Sequence, residues 1–184
     1  EMSADRGAAR TVTTRYLGES LSTDGRWVFF DQIEFDGPVS RFRDVYAADL
    51  KTTSLVRLTH GARMSDPEVS SDGTRLAVVV QRAGDSVLAV HPLSRPGMDA
   101  PPVLDRPAVL TVAEAGCHFA TPRWSPDLAR LAAARQCQGR PPEIVVIDGA
   151  TGLVTPVVSD RRSRNITPAW SPDGQTLYFA SDRN

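Results

Sequence analysis

Few side chains in this sequence stand at spacings that chemistry requires. Gly18-Glu19-Ser20-Leu21-Ser22 has the outline of a nucleophile elbow, in which a serine sits on a strained strand-to-helix turn. The elbow needs glycine where Ser22 stands, so Ser20 is read as a strand residue instead. His60, His91 and His118 lack the spacing of metal ligands. They read as loop or hydrogen-bonding residues. His60 and His118 fall just before apolar strand-like runs, and with Asp66, Asp182 and Glu143 they could line one face and hold a cation. The stronger reading has those carboxylates satisfying turn amides and arginines such as Arg183. Candidate residues for that face are thus His60, Asp66, His118 and Asp182; no catalytic residue, metal site or cofactor is assigned. Asn165-Ile166-Thr167 fits the glycosylation pattern but is followed by Pro168 and is read as inert.

The elements that must position these residues are repeats. Thr167-Pro168-Ala169-Trp170-Ser171-Pro172-Asp173-Gly174 has weaker copies upstream, centred on Ser22-Thr23-Asp24-Gly25, Ser70-Ser71-Asp72-Gly73 and Ser125-Pro126-Asp127-Leu128. The aspartates Asp24, Asp72, Asp127 and Asp173 recur at intervals of about 50 residues, the period of a supersecondary array. Asp can bond nearby amides, and Gly25, Gly73 and Gly174 are free to take positive φ. Leu128 at the same place must avoid positive φ or accept strain.

Each turn is followed by an apolar run too short for a helix, such as Leu76-Ala77-Val78-Val79-Val80 or Leu177-Tyr178-Phe179-Ala180. Pro67, Pro122 and Pro168 precede the turns, and proline is expected at the first residue of a strand. Further strands are expected over residues 44–49 and 143–148, and again over 54–59 and 153–158. Residues 32–43 read as an enlarged charged loop and residues 91–107, rich in proline, as a long irregular insert. Trp27, Trp124 and Trp170 recur in apolar settings and read as core between units.

Four short antiparallel strands per unit describe a β-propeller blade. With Pro168-x-Trp170-Ser171-Pro172-Asp173-Gly174, the trailing Ser181-Asp182-Arg183 and the closing Arg57-Leu58-Thr59, the sequence resembles the TolB-like (PD40, WD40-like) propeller repeat over nearly its whole length. The expected fold is all-β, with blades over residues 18–59, 66–112 and 116–159 and a half blade over 164–184. Residues 1–17 are expected to form a tail and a leading strand, the strand over residues 9–16. Three and a half blades are expected to belong to a longer polypeptide, or to close as a four-bladed ring through that leading strand.

The resemblance implies a noncatalytic scaffold that engages a protein partner in the periplasm or outside a bacterial cell, with self-association through open blade edges as a further expectation. The alternative it implies is the N-terminal gating propeller of a prolyl-oligopeptidase-like serine peptidase, with catalysis in a separate domain. Cys117 falls just before the first strand of the third blade and Cys137 in the turn between its second and third strands, at the same face of the blade, which leaves two readings: a disulfide, pointing to an oxidising compartment, or two unpaired thiols.

Composition narrows the rest. The net charge is −1, and hydrophobic and charged residues make up 41% and 23%. This balance suits a globular protein and gives no drive toward phosphate backbones, so no nucleic-acid partner is expected. No apolar run approaches the roughly 20 residues of a membrane-spanning helix. Of the 21 basic residues only Lys51 is lysine, a skew read as base composition and not as an anion site.

Overall fold

Turn residues and short apolar runs build the elements of the described residues. The computed structural model describes residues 11–14, 18, 20–37, 40–97 and 100–183. Among them there is no helix, and none therefore that is long and apolar enough to cross a membrane.

The first blade is an antiparallel sheet of β1 (Leu21–Thr23), β2 (Trp27–Asp36), β3 (Ser40–Asp49) and β4 (Leu55–Arg57), paired in that order. The second contains β5 (Met64–Val69), β6 (Arg75–Gln81), β7 (Ser86–Ser94), β8 (Val103–Leu104) and β9 (Leu110–Val112), the last two both pairing with β7. The third repeats the four-strand order with β10 (Cys117–Trp124), β11 (Arg130–Cys137), β12 (Glu143–Asp148) and β13 (Val154–Val158). A two-stranded sheet follows, β14 (Asn165–Trp170) and β15 (Leu177–Ser181).

Strand alternation produces the stacking. Leu76 and Val78 of β6 face the first blade, where they join Trp27, Phe29, Val45 and Ala47; Ala77 faces the third, with Phe119, Leu131 and Val145. Each such fully buried aliphatic side chain stabilises by about 1.5–3 kcal/mol relative to exposure. Tyr178, on the two-stranded sheet, is 61% exposed.

In the last three sheets the connection between first and second strands is a repeated serine–aspartate staple. Ser125 Oγ donates to Asp127 Oδ1 at 2.5 Å and accepts the Arg130 amide at 2.9 Å. Ser70 with Asp72 and Arg75, and Ser171 with Asp173 and Thr176, reproduce both distances. Gly25, Gly73 and Gly174 take positive φ, and Leu128 does so too, at 58°, accepting the strain.

The structure corrects several expectations. The prolines do not begin their strands: β5, β10 and β14 start at Met64, Cys117 and Asn165, and Pro67, Pro122 and Pro168 sit at bulges within them. A bulge leaves a residue out of the ladder, so the missing N–H costs no hydrogen bond. Asp66, Thr121 and Thr167, the residues before these prolines, share positive φ values of 51°, 48° and 49°. Of the residues expected as a loop over 32–43, residues 32–36 and 40–43 are instead the far half of the β2–β3 hairpin, in register through Ile33↔Arg43 and Phe35↔Arg41. The alternation of Ile33 and Phe35 with polar neighbours is strand-like, and the high charge concealed it. Residues 91–107 are likewise partly regular, because β7 continues to Ser94 and β8 pairs with its end. Residues 11–14 form no strand, and the rest of the expected leading strand, with the tail, lies outside the described residues.

Candidate functional site

The hairpin extension forms one wall of a cavity shared by three blades. Neighbouring side chains on one face of a hairpin come from cross-strand partners and from alternate residues. Ile33, Phe35, Arg41 and Arg43 therefore share a face, and Ile33, Arg41 and Arg43 line a cavity of about 680 Å³. Its other walls are Phe42 of the same hairpin, Arg63, Ser65 and Asp66 from the start of the second blade, Gln81 and Ser86 from the facing ends of β6 and β7, and His118, Phe119 and Ala120 from β10. Three successive blades thus meet at one end of their strands.

The charges within it are unequal in availability. Arg43 pairs with Asp31, whose side chain is fully buried. Asp66 accepts the Thr121 amide through Oδ2 at 3.1 Å, linking the inner strands of the second and third blades. Arg41 and Arg63 are exposed, and no carboxylate among the described residues pairs with either. Phe35, across the hairpin from Arg41, is 75% exposed. Cationic and apolar groups therefore face solvent together.

Of the four residues expected on one face, Asp66 and His118 meet in this cavity. His60 is exposed but lies outside it. Asp182 accepts the Arg164 amide at 2.6 Å and lines a separate shallow pocket on the two-stranded sheet. Arg183 pairs with Asp160 at 3.3 Å instead of with Asp182. Glu143 pairs with Arg135 at 2.6 Å, and His91 is buried with its Nδ1 3.1 Å from the Asp105 carbonyl. The arginines Arg41, Arg43 and Arg63 and the exposed Phe35 were not singled out by the sequence; the signal was the alternation on both sides of Gly37.

Ser20 is buried ahead of β1 with no helix behind it, which is not an elbow. Asn165 is fully buried, so its amide is closed to glycosylation. Cys117 and Cys137 face each other across β10 and β11 and are joined as a disulfide. Glu114 lies close to both sulfurs, but the disulfide leaves no thiolate to bind a metal.

The faces between blades carry a second set of polar contacts. The Trp124 indole donates to the Glu68 carbonyl at 3.2 Å, and the Trp170 indole to the Arg123 carbonyl at 3.1 Å, each reaching the inner strand of the preceding blade. Trp27 belongs to β2 and makes no such bond, although it too is buried. Where Val69 replaces tryptophan, its amide donates to Ser22 Oγ at 3.0 Å, and Arg95 pairs with Asp24 across the same junction. Glu68 pairs with Arg123 at 3.3 Å; burial nonetheless pushes its carboxyl up to about 7.

No family model matches the sequence. A curated protein, the Protein TolB homolog of Chlorobium luteolum, is 27% identical over 177 residues, 95% of this chain and 37% of its own length. The chain thus spans a little over a third of that relative. TolB from Acinetobacter baumannii superposes with a TM-score of 0.62 at 19% identity, covering 88% of this chain and 37% of the other. A puromycin-hydrolyzing peptidase of Mycobacterium tuberculosis gives 0.59 at 16% identity, covering 88% of this chain and 27% of the other. The blade order, the stapled turns and these likenesses together make the chain a TolB-like β-propeller.

Proposed function

We propose that the chain is a noncatalytic propeller scaffold that binds a protein partner through the face holding Arg41, Arg63 and His118. The observation that carries this reading is the open cavity at that face, where rigid strands from three blades present exposed cationic and aromatic side chains together. Aromatic residues and arginines are the side chains that concentrate binding energy at protein interfaces. The Cys117–Cys137 disulfide supports an oxidising, extracytoplasmic location.

Site-specific photo-crosslinking in the natural full-length protein tests the reading. A photoreactive residue at position 118 is expected to capture one discrete protein partner, and one at position 127 is expected to capture none. Equal capture from both positions, or none from 118, would overturn it.

A second reading, that the chain is the propeller of a serine peptidase, is favoured by the structural likeness to the mycobacterial peptidase. Labelling of the natural full-length protein by a fluorophosphonate probe separates the two. Covalent labelling supports the peptidase; an unlabelled protein supports the scaffold.

A further inference from the structure

We propose that the cavity under the β2–β3 hairpin, together with the exposed Phe35 across the hairpin from Arg41, is a site for an extended acidic peptide, its carboxylates received by Arg41 and Arg63 and its apolar side chains by Ile33 and Phe35. The proposal rests on the scaffold reading and names the chemistry of the partner segment.

Charge comes first. Arg41 and Arg63 approach the cavity from different blades, and neither has a carboxylate partner among the described residues. Arg43 differs, because the buried Asp31 neutralises it. Asp66 is engaged with the Thr121 amide. Two cations therefore remain for a ligand, and guanidinium groups receive carboxylates in paired hydrogen bonds.

The apolar groups select a peptide over a bare phosphate. Phe35 stands opposite Arg41 and Ile33 opposite Arg43, so each cationic position on the hairpin has an apolar neighbour on the same face. Phe35 is 75% exposed, and a ring so placed gains only when a partner covers it. An extended chain places successive side chains at the two-residue period that the hairpin itself follows. An acidic residue next to an apolar one matches that pattern, and a nucleic-acid backbone, which offers charge without apolar side chains, does not.

The test is fluorescence anisotropy on the natural full-length protein. The probe is a labelled peptide of alternating aspartate and leucine, and the control is the same peptide with asparagine for aspartate. Saturable binding is expected at low salt, tighter than the control by about tenfold or more and weakened by added salt. The paired variant R41Q/R63Q is expected to lose about tenfold in affinity and F35A several-fold, while R161Q, on a distant exposed residue, changes nothing. Melting temperatures of all variants should match the parent, because these side chains are exposed. Three results would each overturn the proposal: no saturable binding of the aspartyl peptide, equal binding of the asparaginyl peptide, or unchanged affinity in R41Q/R63Q. Preferential binding of labelled oligothymidylate would overturn it as well. Partner capture at position 118 with no binding of the acidic peptide keeps the scaffold reading and removes only this one.

Discussion

Arg75 of the second blade stands over the indole of Trp124 in the third, its guanidinium carbon 4.5 Å from the ring centroid. The same arginine donates to the Leu128 carbonyl at 3.2 Å, so one side chain holds both the tryptophan and the turn of the next blade. Arg130 repeats this toward Trp170, at 4.9 Å, and toward the Gly174 carbonyl at 3.4 Å. Successive blades are locked by sequence-repeated contacts as well as by apolar burial. Arg75→Ala should cost about 1–2 kcal/mol, and a cycle with Trp124→Phe should return a coupling of roughly 1 kcal/mol. Urea midpoints measure both, and additive effects would show that the ring and the cation do not interact.

Leu128 occupies the left-handed region that its counterparts fill with glycine. It also packs against the core between the second and third blades. Leu128→Ala removes packing and keeps the strain, whereas Leu128→Gly removes both. The glycine variant should therefore be the more stable of the two, by about 1 kcal/mol, the reverse of their usual order within a strand. Thermal unfolding of the pair checks this, and the usual order would contradict it.

The pH dependence follows from Glu68 and Asp44. Burial raises the Glu68 carboxyl from 4.5 to about 7, against the pull of Arg123. A folded-state value above the unfolded one gives stability that is full below about pH 4.5 and is lost as the pH rises through about 7. The parent should thus lose about 3 kcal/mol across that window relative to Glu68→Gln. Asp44 runs the other way. Burial would raise it, but Arg57, the Ala62 and Gly61 amides and Thr59 together hold it below 3.8. Its contribution is lost on acidification. Equilibrium unfolding across pH checks the sign, and parallel profiles for parent and Glu68→Gln would refute it.

The disulfide closes a loop of 20 residues in sequence separation. Replacing both Cys117 and Cys137 with serine should cost about 3 kcal/mol on the loop-entropy estimate. Reduction of the parent should lower its urea midpoint to that of the double variant. A midpoint that ignores reductant would show that the crosslink is unimportant to stability.

The blades were legible because their determinants are local. The aspartate of Ser-x-Asp and the residue after it mark each turn, and the runs behind the turns are short and continuously apolar. The prolines misled because Asp66, Thr121 and Thr167 take an uncommon positive φ, which a sequence pattern does not announce. The cavity was only half legible. Asp66 and His118 were expected on its face, but Arg41 and Phe35 belong to a hairpin whose charged residues imitate a loop. Arg63 reaches the cavity only because two blades stack, a contact between residues distant in sequence.

Hydrogen exchange on the natural full-length protein, with and without the aspartate–leucine peptide, is the most direct measurement of where this protein binds. Slowed exchange is expected in the segments containing residues 33–43, 63–66 and 118–120, with no change at the stapled turns around Asp127 and Asp173. Protection confined to those turns, or absent everywhere, would contradict it.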